Sequence, residues 1–187
     1  MLKDRIEALK ALFKDNDDRV RQAASSAVER LSMKADIGKF GEALASEDVL
    51  VRSRAVFGLA GLEDTKSWEY LAMATADRDA SIRAHAVHIL GEKKAVKYLD
   101  AIVRRMADPD MSVRIEAIRA VGAIGSTAHL ASLLQLLRDP SNDIVIAAIT
   151  AIGRLKDPRA ERPLIVLLSH PVAEIRSASA SALADID

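Results

Sequence analysis

Asp77-Arg78-Asp79-Ala80-Ser81-Ile82-Arg83-Ala84-His85-Ala86-Val87-His88-Ile89-Leu90-Gly91 is the stretch on which the chain is organised. Its pivot is Ile82-Arg83, an apolar residue followed by a base near the start of a helix. The pair recurs 31 residues to either side, as Val51-Arg52 and Val113-Arg114, and again at Val20-Arg21 and Ile175-Arg176. Ile144-Val145 fills the remaining place without its base. Six copies at a fixed step are the signature of a solenoid, in which each unit packs mainly on its neighbours. Three residues before the pivots stand Asp17, Asp48, Asp79, Asp110, Ser141 and Val172. The first five have oxygens that can accept from the free N–H groups of a helix's first turn. Four residues after the pivots stand Ala24, Ala55, Ala86, Ala117, Ala148 and Ser179, a column small enough to admit another helix. Eight after come Val28, Leu59, Leu90, Val121, Ile152 and Leu183, and offsets of 0, 4 and 8 share one helical face.

The spacing predicts units at 2–32, 33–63, 64–94, 95–125, 126–156 and 157–187 within one repeat domain, with no room for a separate catalytic domain. Each unit is an outer helix A, a turn and an inner helix B. Half the residues are hydrophobic and 3% aromatic, so the core is aliphatic and alanine-rich. Lysine and arginine number 27 against 27 acids, which argues against nucleic acid as a partner, since such binders carry a basic excess. Without cysteine, disulfides and thiolate chemistry are excluded. The N-terminal residues lack the apolar run of a signal peptide, and no stretch approaches the ~18 apolar residues of a membrane span. The expectation is a cytoplasmic protein that does not enter membranes.

Asp108-Pro109 and Asp139-Pro140, the Val/Ile-Arg pivots, the alanine column and the closing glycines Gly91, Gly122 and Gly153 resemble the HEAT-like repeats. The closest resemblance is to the short class named after phycobilisome bilin lyases. It implies an all-α, right-handed α-solenoid (an α-α superhelix) of six 31-residue helical hairpins. It also implies a ladder of turn aspartates and helix-B arginines, with Asp15 matched to Arg21, Asp77 to Arg83 and Asp108 to Arg114. Three units depart from it: Ser46 stands beside Arg52, Val145 beside Asp139, and His170 beside Arg176. A break is expected at the fourth-to-fifth junction. The family spans scaffolds, lyases and hydroxylases, so the resemblance speaks to fold before function.

His85, His88 and Glu92 share one inner helix at a spacing that could gather metal ligands, but no matching set stands on a neighbouring helix B. A polar surface cluster is the expected reading, with no metal or cofactor. No Ser/His/Asp order, phosphate-binding glycine loop or dinucleotide fingerprint is present. Trp68 occupies a helix-A column shared with Ile6, Ile37, Leu99 and Leu130, and reads as core.

Offsets 2, 6 and 10 from each pivot point away from the apolar stripe. A merely solvated face would repeat small or charged residues there. Instead the positions include Phe57, His88, Ile115, Arg119, Ile146, Thr150 and Arg154, which suits a binding patch. The expectation is a non-enzymatic scaffold that binds a protein partner on its concave helix-B surface. The alternative is a bilin lyase-type enzyme or enzyme subunit. Near the C-terminus, Leu164-Ile165-Val166-Leu167-Leu168 is an unbroken apolar run on a helix A, a candidate surface for self-association.

Overall fold

The computed structural model describes residues 2–186, so Met1 and Asp187, the outer ends of the expected division, lie outside the described residues. Twelve α-helices and no strand are found among them. Two compact units divide the chain, Met1–Tyr70 and Leu71–Asp187. The first contains α1 (Leu2–Ala11), α2 (Asp18–Ala35), α3 (Ile37–Ala43) and α4 (Val49–Ala60), and the boundary falls within α5 (Thr65–Ala74). Here α1 packs on α2 and α3 on α4. Helix α2 runs past the expected end of the first unit at residue 32 because Leu31-Ser32-Met33-Lys34-Ala35 contains neither glycine nor proline to stop it. It ends only at Asp36, which is also the N-cap of α3.

The second unit continues with α6 (Ala80–Glu92), α7 (Leu99–Arg104), α8 (Met111–Ile124), α9 (Leu130–Gln135), α10 (Asn142–Leu155), α11 (Glu161–Leu167) and α12 (Ala173–Ala184). Helices α6, α8, α10 and α12 form an inner layer, each packed on the next. The short helices α7, α9 and α11 form an outer layer on α8, α10 and α12. Between the layers lie Ile82, Leu90, Ile102, Ile118, Leu133, Ile144, Ile149, Ile152, Leu164 and Ile175, all fully buried. Each such side chain contributes about 1.5–3 kcal/mol through removal from water. The whole small column, Ala24 through Ser179, is buried. Inner helices touch closely because Gly91, Gly122 and Gly153 face Ala120, Ala151 and Ala182 of the next inner helix. A Cβ on Gly122 would stand 2.7 Å from the Ala151 Cα.

Caps explain where the inner helices begin. Asp48, Asp79 and Asp110 are extended N-cap residues whose carboxylates accept first-turn N–H bonds, and Asp17 accepts from Arg19 at 2.8 Å. Ser141 stands at the equivalent place, but its side chain makes no cap bond. The inner helices end differently from one another. Gly125 closes α8 in the left-handed region at φ 79°, and Lys156 takes the same conformation after α10 at φ 53°.

The turn before each inner helix follows one rule. The side chains of Asp15, Ser46, Asp77, Asp108, Asp139 and His170 each accept from the backbone N–H two residues on, at 2.8–3.2 Å. These are Asx-type turns, and serine or histidine can supply the acceptor as aspartate does. The arginine that follows donates to main-chain oxygen instead. Arg21 bonds the carbonyl of Asp15, Arg52 that of Ser46, Arg83 that of Asp77, Arg114 that of Asp108, and Arg176 that of His170. The matched pairs therefore meet through the carbonyl of the turn residue rather than its carboxylate. Ser46 and His170 do not interrupt the pattern, whereas Val145, buried at the fifth of the six places, has no guanidinium to offer.

One carboxylate is shared between turns. Asp108 receives Arg83 through Nη2 at 2.7 Å and Nε at 2.9 Å, with its own side chain fully buried. Burial opposes ionisation of Asp108, but bonds from Arg83 and from the Asp110 N–H hold its carboxyl below the usual range. The same bond to Asp108 raises the Arg83 guanidinium above its ordinary value.

Candidate functional site

Helices α6, α8 and α10 lie side by side with their second faces free of the outer layer, and two adjoining clefts run between them. The first, about 200 Å³, is lined by His88, Gly91 and Glu92 of α6, Glu116, Arg119, Ala120 and Ala123 of α8, and Arg154 of α10. The second, about 280 Å³, is lined by Ile115 and Arg119 of α8 and by Asp143, Ile146, Ala147, Thr150 and Arg154 of α10. Arg119 and Arg154 belong to both. Small residues form the floor because the inner helices approach through glycine and alanine, and longer side chains rise at the edges.

Six of the seven residues singled out in the sequence are brought together here: His88, Ile115, Arg119, Ile146, Thr150 and Arg154. Phe57 is not among them. It lies on α4 in the first unit, 56% exposed. Ile115 and Ile146 are half-buried, leaving apolar surface at the second cleft. Glu116 organises the polar part. One of its oxygens accepts from Arg119 Nη1 at 2.9 Å, and the other faces His88 Nδ1 at 3.2 Å. Sequence reasoning passed over Glu116 because it sits between the offsets used to define the face. Its signal was available as an i, i+3 pair with Arg119. Thr150 turns its hydroxyl back to the Ile146 carbonyl at 2.9 Å. Arg154 makes no hydrogen bond or ion pair among the described residues.

The histidine grouping comes out differently from a ligand set. His88 is engaged with Glu116, and no group of three or more His, Asp or Glu side chains among the described residues is placed to hold a metal ion. Trp68 is half-buried on α5, with its indole N–H buried and unpartnered among the described residues. Elsewhere in the second unit, Val166 is 73% exposed beside a shallow apolar groove between α9 and α11, lined among others by Leu134, Leu137, Pro163 and Leu167. No helix among the described residues is long and apolar enough to cross a membrane.

The layered helical hairpins define a repeat protein of the helical-hairpin class. More particularly, the chain belongs to the HEAT repeats, whose family model matches residues 69–150 and 130–187. A search of curated proteins finds no significant match. Among solved structures, the chain is similar to the complex of CpcE and CpcF of phycocyanin lyase from a Nostoc species. That likeness has 20% identity and a TM-score of 0.70, over 80% of this chain and 64% of that one. It is also similar to human deoxyhypusine hydroxylase, with 23% identity and a TM-score of 0.59 over 82% of this chain and 62% of that one. A designed armadillo repeat protein solved with the peptide (KR)4 matches at 16% identity and a TM-score of 0.62, over 100% of this chain and 99% of that one. The chain spans less than two thirds of the lyase and hydroxylase chains. At these identities the likeness is one of fold. It nevertheless corrects the expectation of a non-enzymatic protein. That expectation held that a chain filled by repeats leaves no place for catalysis, yet the phycocyanin lyase complex is itself an enzyme and shares the fold.

Proposed function

We propose that this chain is a protein-docking subunit of a lyase-type enzyme, holding a partner protein on the α6–α8–α10 face. The observation that carries the reading is the pair of adjoining clefts. They set Ile115 and Ile146 beside Arg119, Arg154 and His88, an apolar anchor next to orienting charges on a preformed surface. A rigid helical face loses little freedom on docking, so more of the contact energy appears as affinity. The structure of CpcE with CpcF as one lyase complex supports a heteromeric arrangement. The reading takes the repeat as 31 residues with a right-handed sense of winding in a single repeat domain. The recurrence of the arginine-to-turn bond from Arg21 to Arg176 supports the period. A second copy of the chain docking at Val166 belongs to the same reading as a subsidiary contact.

Two experiments test it. Affinity capture from the source lysate compares wild type with Ile115→Asp/Ile146→Asp, helicity being checked by circular dichroism. The expected outcome is a protein held by wild type and lost by the variant. Retention by both removes the face from the reading. Incubation of the captured assembly with bilin and its acceptor should then produce covalent visible absorbance on the acceptor. Its absence, with docking intact, leaves the interaction and removes the lyase assignment.

A further inference from the structure

We propose that the wall shared by the two clefts is a carboxylate-binding site. A partner segment inserts an aspartate or glutamate side chain between the guanidinium groups of Arg119 and Arg154, with an adjoining apolar side chain laid on Ile115 and Ile146. This rests on the docking reading above and names the chemistry of what docks.

The case begins with unused donors. A guanidinium offers five N–H groups in a fixed fork. Arg154 spends none of them on a partner among the described residues, yet it lines both clefts. Arg119 spends Nη1 on Glu116 and keeps its other N–H groups. Glu116 makes no bond to Arg154; one of its oxygens accepts from Arg119 and the other faces His88. The Thr150 hydroxyl is likewise occupied by the Ile146 carbonyl. Two planar cations lining shared space, one paired once with Glu116 and one uncommitted, suit a carboxylate taken in bidentate fashion.

The other charges restrict the occupant. Glu92 and Glu116 line only the first cleft and Asp143 only the second. A run of phosphates crossing both clefts would meet a carboxylate in each, which disfavours a nucleic-acid strand. A single acid flanked by neutral or basic residues meets both guanidinium groups in the middle, places no further negative charge beside Glu92 or Asp143, and shares Arg119 with Glu116. Ile115 and Ile146 add a requirement for an apolar neighbour on the Asp143 side of that acid.

The test uses the full chain and a phage-displayed library of random dodecapeptides as probe. Enriched peptides are resynthesised with fluorescein and measured by anisotropy against wild type, Arg154→Ala, Arg154→Lys, Arg119→Ala and Ile115→Asp/Ile146→Asp. The expected result is enrichment of an acid beside an aliphatic or aromatic residue. Arg154→Ala should weaken such a peptide about tenfold or more, and Arg154→Lys should restore only part of it, because an ammonium lacks the fork. Changing the peptide acid to its amide should cause the same loss and add nothing to Arg154→Ala. Enrichment no greater than that of an Arg119→Ala/Arg154→Ala double variant overturns the proposal. So does a preference for basic peptides of the (KR)4 kind, or salt-sensitive oligonucleotide binding lost in the arginine variants. Binding that needs Ile115 and Ile146 but ignores both arginines removes the carboxylate site and leaves the docking face. Indifference to all four residues removes both.

Discussion

Asp108 and Asp139 occupy the same turn position, and only one of them carries a buried guanidinium. Each accepts an N–H two residues on, at 3.1 and 2.8 Å, so replacement by alanine removes one turn bond from either site. That loss is about 0.5–1.5 kcal/mol. Asp108→Ala also strands Arg83, whose side chain is 10% exposed and whose Nε and Nη2 both point to Asp108. Removing one partner of a buried ion pair costs about 3–5 kcal/mol, because the remaining charge has been taken out of water without compensation. Asp108→Ala should therefore be about 3–5 kcal/mol more destabilising than Asp139→Ala. Urea titration followed by circular dichroism at 222 nm reads this as a midpoint difference of about 1–5 M for a urea dependence of about 1–3 kcal/mol/M. Adding Arg83→Met to Asp108→Ala should recover part of the loss, since an apolar side chain leaves no stranded charge. The pH dependence has a definite sign. Because the Asp108 pKa is lowered on folding, its contribution is complete above the unfolded value near 3.9 and is lost as pH falls through the folded value. The gap between wild type and Asp108→Ala should accordingly narrow below about pH 4. Equal midpoints for Asp108→Ala and Asp139→Ala at neutral pH would refute the reasoning.

Gly122→Ala should destabilise by about 1–2 kcal/mol, overpacking against the Ala151 backbone exceeding the helix-propensity gain of roughly 0.5–1 kcal/mol. Gly38→Ala in α3, where a new Cβ meets nothing within 4 Å, should show only the gain, and thermal melts of the two variants compare them directly. Lys156→Gly should stabilise by about 0.5–1 kcal/mol by relieving a left-handed residue at φ 53°, the conformation that Gly125 supplies after α8. The Asp157 carboxyl, held at about 2 chiefly by the side chain of Arg159, should titrate there in a carbon-detected NMR experiment. Its stabilising contribution is present above the ordinary value and lost as pH falls toward 2, so Asp157→Asn should flatten the acid limb of the stability profile.

The architecture was legible because contacts that recur must be met by side chains that recur. The cap aspartates, the alanine column and the pivots each answer one packing demand, and all are visible as columns in the sequence. The arginine bonds were legible as positions but not as partners. A main-chain carbonyl carries no side-chain signature, so Ser46 and His170 looked like breaks while still supplying the turn acceptor. The boundary of α2 was missed because its end depends on the absence of a stop signal over residues 31–35. Most of the candidate face was legible from helical phase alone. Glu116 was not, since its importance comes from His88 on the neighbouring helix and no periodicity within α8 could report that.

Division of labour within each inner helix explains why one face can vary. At offsets 0, 4 and 8 the side chain is enclosed by two layers, and a change of one methylene is felt by several neighbours. At offsets 2, 6 and 10 it projects from a frame already fixed by glycine–alanine contacts such as Gly122 on Ala151. Substitutions there change the surface with little effect on whether the helices stack. Arg119 and Arg154, both exposed, therefore owe little to the fold, and the half-buried Ile115 and Ile146 lie outside the fully buried columns. The proposed docking partner, lying across α8 and α10 at once, would account for the grouping of all four.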